Sequence, residues 1–233
     1  MNFNDLLSDL SLGELNNMYM ANEGSGGINE TQISKIAHFA NTALTILYTR
    51  FLVKTRDVLV AMQPSISYYH LNSLYAQSQF DPEKAAVAYI LDLGNEPFTD
   101  DVLQMLYVVD SQGNEIPLNQ PTKPNSVYSP QATILHVPVV ADGEILCIGY
   151  RAAHPKITGD YAQELEVPVT LVPALTAYIA YLVYNNLNTQ EGFANAQNRL
   201  QMFENICTMV ESAGTLDNSF ASYAERFRAN GWA

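Results

Sequence analysis

The residues able to do chemistry are few and scattered. His38, His70, His136 and His154 stand at no recognisable metal-ligand spacing from one another, from a cysteine or from an acid. Cys147 and Cys207 each sit in an apolar run without a basic neighbour in sequence to lower the thiol pKa, so buried free thiols in a reducing compartment are expected. No serine occupies a sharp Gly-x-Ser-x-Gly elbow. The one adjacent acid pair, Asp100-Asp101, follows Thr99 and is read as helix capping rather than acid–base machinery. Gly24, Gly26 and Gly27 resemble a phosphate cradle in composition, but no Gly-Lys-Ser/Thr follows. The sequence thus offers no catalytic residue, no metal ligand set and no cofactor site.

The elements around these residues are easier to read. Ser11 with Glu14 predicts a capped helix near the start, followed by a glycine loop at 22–27. A long helix is predicted over 30–52, capped by Asn29, with Ile33, Ile36, Ala37, Ala40, Leu44, Leu47, Tyr48 and Phe51 on one stripe. Residues 57–62, 66–71, 103–109, 132–140 and 144–153 are β-rich. Ser111–Asn114 and Asp142-Gly143 predict hairpin turns, the second joining 132–140 to 144–153. A short helix is expected over 82–91 and a long exposed loop over 119–130. Leu171–Tyr184 is apolar but for Thr176; at 14 residues it is too short to span a bilayer and must be covered all round. The last long helix is predicted over 190–213, capped by Thr189 and stopped by Gly214, with Phe193, Ala196, Leu200, Phe203, Cys207 and Val210 at heptad spacing.

These elements predict an α+β fold: a helical bundle built from both chain ends (1–54 and 168–233), with a β-rich middle insertion (55–167) and a C-terminal tail (214–233). The Leu171–Tyr184 helix directs Tyr178, Ile179, Tyr181 and Leu182 to a subunit or interdomain packing face. In the tail, Phe220, Tyr223, Arg226, Phe227, Arg228 and Trp232 are expected to dock on a partner, because aromatics in a frayed terminus would expose apolar area for no gain.

Charge narrows the partners. The 233 residues carry 24 acids and 11 Lys or Arg, a formal net charge of −13. Five acids and no base fall in 1–30; eight acids and one base, Lys84, fall in 81–115. Such a surface disfavours phosphate-neutralising contacts with nucleic acid. Fourteen tyrosines, many amides and only 15% charged residues favour a protein that lives in a large assembly. The N-terminus is acidic, without the features of a signal peptide.

Several runs carry a resemblance. Leu10-Ser11-Leu12-Gly13-Glu14-Leu15, the glycine loop, Asn41-Thr42-Ala43-Leu44 through Leu47-Tyr48-Thr49-Arg50-Phe51, Ala177-Tyr178-Ile179-Ala180-Tyr181, the heptad helix and Phe227-Arg228-Ala229-Asn230-Gly231-Trp232 resemble the head-to-tail adaptor (connector) proteins of short-tailed bacteriophages. The match covers about half of the chain, in its outer segments. It implies a non-enzymatic virion protein, made in the host cytoplasm and located in the tail or neck. The implied assembly is a ring, usually of twelve copies, joining the portal protein to tail nozzle or fibre proteins. It also implies that DNA passes through without specific binding, that no membrane is involved, and that the C-terminal segment reaches the portal. Two alternatives stand beside this: another virion ring component (tail nozzle or collar), and a soluble ligand-binding domain.

Overall fold

The computed structural model describes residues 1–16, 21–22, 27–83, 85, 87–92, 97–139, 143–214 and 216. The chain divides into two compact units, one from Met1–Val53 with His154–Asp217, the other from Lys54–Ala153.

The helical unit begins with α1 (Phe3–Leu12). Its cap is Asn2, not Ser11. Asn2 Oδ1 accepts the Asp5 N–H at 2.8 Å, and Asp5 Oδ2 accepts the Asn2 N–H at 2.8 Å, a closed capping box. Ser11 sits in the last turn, buried, donating to the Ser8 carbonyl. A short ribbon pairs β1 (Ala21–Asn22) with β2 (Gly27–Ile28). A 3₁₀ turn over Glu30–Gln32 leads into α2 (Ile33–Arg50), whose apolar stripe is buried from Ile33 to Tyr48.

The last two helices are α3 (Val172–Asn185) and α4 (Gln190–Ala213). Pro173 lies in the first turn of α3, where its missing N–H is not needed. Thr189 Oγ1 accepts the Gly192 N–H at 3.0 Å at the start of α4, and Gly214 ends it at φ +62°, a left-handed conformation that favours glycine.

The expected helical bundle built from both chain ends requires correction. The extensive helix–helix interface is α3 on α4, an antiparallel pair made wholly within the C-terminal half; the N-terminal helices touch α3 much less, α1 least of all. Part of their cover is extended chain. Asn41 on α2 bonds both backbone groups of Ile157. The Tyr48 hydroxyl, seven residues on, donates to the Glu166 carbonyl. The strap between these two points also pairs with the N-terminus, through Phe3 N–H to Gln163 O (2.9 Å) and Leu165 N–H to Met1 O (2.8 Å). Polar groups on a helix face here do the work that a further helix would do in a bundle.

The β unit holds two antiparallel sheets. β3 (Thr55–Ala61), β5 (Ile90–Leu91), β6 (Val102–Val109), β7 (Glu115–Ile116) and β10 (Ile145–Ala152) form a five-stranded sheet in the order β5-β3-β10-β6-β7. β4 (Tyr68–His70), β8 (Tyr128–Gln131) and β9 (Ile134–His136) form a three-stranded sheet in the order β4-β9-β8. One core joins them: Val58, Val60, Val108, Leu146, Ile148 and Tyr150 from the larger sheet, with Tyr69 and Leu135 from the smaller. The alternation of β3, with Val58 and Val60 buried and Leu59 less so, is the period-2 pattern of a strand with one face inward.

Three local readings fail here, the first being the exposed loop over 119–130, where Ser126 and Val127 are buried and Tyr128 begins β8. The segments flanking Asp142-Gly143 do not form a hairpin: β9 pairs with β4 and β8, whereas β10 pairs with β3 and β6. The expected helix over 82–91 is absent among the described residues, and Ile90–Leu91 pairs with β3 instead. The β6–β7 hairpin does form, its turn closed by Gly113 at φ +82°.

Four buried tyrosines of the β unit are structural joints. Tyr69 accepts the Gln63 N–H and donates to the Gln63 carbonyl; Tyr89 does the same with His70. Tyr107 and Tyr150 donate to Asp57 and Asp101 at 2.6 and 2.8 Å. Each buried ring thereby adds apolar area to the core while its hydroxyl stays satisfied.

Candidate functional site

The α3 residues expected at a packing face separate into two kinds. Ile179 is fully buried, inside the helical unit of a single chain. Tyr178, Tyr181 and Leu182 are half-buried and keep surface to offer. The Tyr178 ring lies 4.8 Å from Phe203 of α4 and 5.3 Å from Tyr181, which fixes its orientation. Burial raises its phenol pKa, with the neighbouring Tyr181 and Glu204 adding to the shift. The arrangement can supply rigid aromatic contact area; it holds no group placed for bond making or breaking.

Charged side chains secure this face. Arg50, at the end of α2, reaches α4 with Nη1 2.6 Å from Glu204 and Nε 2.7 Å from Glu211. The hydrogen bond from Arg50 holds the Glu211 carboxyl below its ordinary pKa. Arg199 of α4 pairs with Glu14, whose carbonyl accepts the Tyr184 hydroxyl of α3. The two Arg50 pairs retain solvent exposure, so they fix geometry more than they add stability.

The chemistry-bearing residues are not gathered into a centre. His38 is exposed on α2. His136 stacks on Tyr68 (4.3 Å between centroids, 10° between planes), with Tyr128 6.0 Å away on the partner strand. His70 stacks on Tyr75, and His154 meets Tyr48 edge-on at 5.5 Å. Among the described residues, no three His, Cys, Asp or Glu side chains group as a metal site. Both cysteines are free and buried; burial pushes the Cys147 thiol far up and the Cys207 thiol to about 11.

Asp100 and Asp101 do not cap a helix, because the strand β6 begins immediately after them. Asp100, at φ +56°, accepts the Ser73 N–H and hydroxyl at 2.6 and 2.5 Å. Asp101 pairs with Arg56 at 3.0 Å and accepts the Tyr150 hydroxyl. Asp92 accepts the N–H groups of Ser78 and Phe98. Partial burial opposes ionisation of Asp92, but these bonds outweigh it and lower its pKa. Part of the acidic surplus of 81–115 therefore ties loops of the β unit together.

One concavity lay outside the sequence reading. In the β unit lies a cavity of about 440 Å³ lined by residues of both sheets and their connections. Its floor is Met62, Val127, Val137 and Leu146, all buried, and its rim carries Asp110, Lys123, Asn125 and Glu144. Ser126 in the wall is buried with its hydroxyl bonded to the Pro117 carbonyl at 3.0 Å. Six separated stretches of the chain line it, which is why no local motif marks it.

The glycine-loop residues 23–26 and the tail residues Phe220, Tyr223, Arg226, Phe227, Arg228 and Trp232 lie outside the described residues. Among the described residues, no helix is long and apolar enough to cross a membrane. No protein-family model matches the chain, and no curated protein matches it in sequence.

Proposed function

We propose that the chain is a structural subunit of a short-tailed phage virion, a head-to-tail adaptor that assembles into a ring between the portal protein and the tail. The observation that carries this reading is the resemblance of the outer segments. Three of them, Leu10–Leu15, Asn41–Phe51 and Ala177–Tyr181, fall in one compact unit, in which α3 offers the half-buried Tyr178, Tyr181 and Leu182. Rigid aromatics of this kind give contact area at little entropic expense. In this reading the tail aromatics and arginines form a contact with the portal or a neighbouring subunit. The net charge of −13 then serves a channel wall that DNA slides past without being held.

The test is assembly. Purified chain mixed with portal rings should join them and sediment as a multi-subunit ring, and antibody-labelled virions should carry the label at the neck. Duplex DNA should migrate unretarded at about 150 mM salt, where phosphate-neutralising contacts would still be felt. A chain that keeps the mass of one subunit at every concentration and ignores portal rings defeats the adaptor reading.

A further inference from the structure

The cavity of the β unit combines an apolar floor with an acidic rim. Its 440 Å³ lies within the range of clefts that take a small ligand or a pair of large side chains. Val139 stands at its mouth 76% exposed, an apolar group with no cover of its own. Two rim carboxylates, Asp110 and Glu144, face one base, Lys123. Asp110 is partly buried, which opposes ionisation. Hydrogen bonds from Asn114, Gln112 and Gly113 prevail and hold its pKa below the ordinary value, so its charge persists at neutral pH. A fitting occupant has a large apolar body, a hydrogen-bond donor and positive charge beside it.

We propose that this cavity seats the chain's own C-terminal segment, with Trp232 on the apolar floor and Arg226 and Arg228 against the acidic rim. Three facts select this occupant. Arg226 and Arg228 flank the aromatic Phe227, and Glu225 is the one acidic side chain of residues 218–233, in a chain of net charge −13. No other segment outside the described residues combines an aromatic with a base. Trp232 is the chain's only tryptophan, the side chain with the largest apolar area and a donor N–H that Asn125 or Glu144 can accept.

Tethering favours the chain's own tail over that of a second copy. Trp232 lies sixteen positions beyond Leu216, an extended reach of about 50 Å. A segment tethered at this length meets its site at a local concentration on the order of millimolar. The seat does not depend on the adaptor reading and is compatible with it: the tail occupies its own cavity in the free chain and becomes available to a partner on assembly.

Trp232 is its own reporter. In dilute full-length protein its emission should be blue-shifted, and its quenching by acrylamide several-fold weaker, relative to a free peptide of residues 217–233. Both should be unchanged across a dilution series. The paired variant Val139→Lys, Glu144→Lys places cations at the mouth and should raise quenching to the level of the peptide. Lys123→Glu, on an exposed loop, makes the rim more acidic and should deepen protection. Far-UV circular dichroism checks that each variant is folded; if the paired variant is not, the direction of the Lys123→Glu change decides. A Trp232 as accessible as the free peptide overturns the proposal. So does protection that fades on dilution, which places the tail in a second copy, or protection that a folded paired variant leaves intact. Unchanged or weaker protection in Lys123→Glu overturns it as well.

Discussion

Asn41 faces Ile157 as one strand faces another. The Ile157 N–H donates to Asn41 Oδ1 at 2.8 Å, and Asn41 Nδ2 donates to the Ile157 carbonyl at 3.0 Å. A side chain on α2 thus satisfies both backbone groups of a residue 116 positions away that is itself buried. Asn41→Ala should leave that peptide unpaired and destabilise the chain by about 1–3 kcal/mol. Asn41→Asp keeps the acceptor and loses the donor, so it should fall between the two. Thermal or urea unfolding of the three proteins checks the order; an Asn41→Ala variant as stable as the parent refutes the relationship.

Gly149 on β10 lies beneath the ring of Tyr107 on β6. A Cβ at position 149 would stand 2.0 Å from the ring, far inside contact distance, at a point where a register shift follows in the pairing of the two strands. Gly149→Ala should destabilise by about 3 kcal/mol, near the upper end of ordinary overpacking. Because the clash needs the ring, Gly149→Ala combined with Tyr107→Ala should be less destabilising than the sum of the two single changes. Additivity in a double-mutant cycle would show that the two residues do not meet.

Ile179 is fully buried on α3. Ile179→Asp places a carboxylate where it has neither water nor a described cation, and should cost several kcal/mol, enough to abolish folding at 37 °C in a marginally stable protein. Tyr181→Ser, on the half-buried side, should leave the chain folded and act on assembly instead. Circular dichroism and sedimentation separate the two outcomes; a folded Ile179→Asp chain contradicts the central position of α3.

Tyr48, Tyr89 and Tyr150 hold their protons well above the ordinary phenol range, burial being the main cause in each case. A group whose folded-state pKa is raised gives stability that is complete below its unfolded pKa, about 10 for tyrosine, and is lost as pH rises beyond it. Stability should therefore be flat with respect to these rings up to about pH 10 and fall above it. An ultraviolet titration should show a group of tyrosines ionising only together with unfolding. Smooth titration of all the tyrosines in a folded chain would contradict the burial of these three.

What the sequence determined by itself was local. Thr189, the 3-and-4 spacing from Ala196 to Val210 and Gly214 define α4 because caps and helical periodicity are written within a few residues of each other. The same holds for the span of α3, though not for its expected cover on every side, since Tyr178, Tyr181 and Leu182 stay half-buried, and for the glycine turn of the β6–β7 hairpin. The tertiary structure decided the partners. Asp142-Gly143 marks a turn, but a dipeptide cannot say which strands the flanking segments will join, and β9 and β10 enter different sheets. The strap from 154 to 167 has no periodicity to read, because side chains of α2 and the N-terminal backbone hold it. Asp100 and Asp101 look alike in sequence and serve Ser73 and Tyr150, since bonding partners of a carboxylate are set by chain crossings far along the sequence. The cavity of the β unit is legible only in three dimensions for the same reason: sequence records what a residue prefers nearby, whereas a concavity exists only where distant segments stop short of touching.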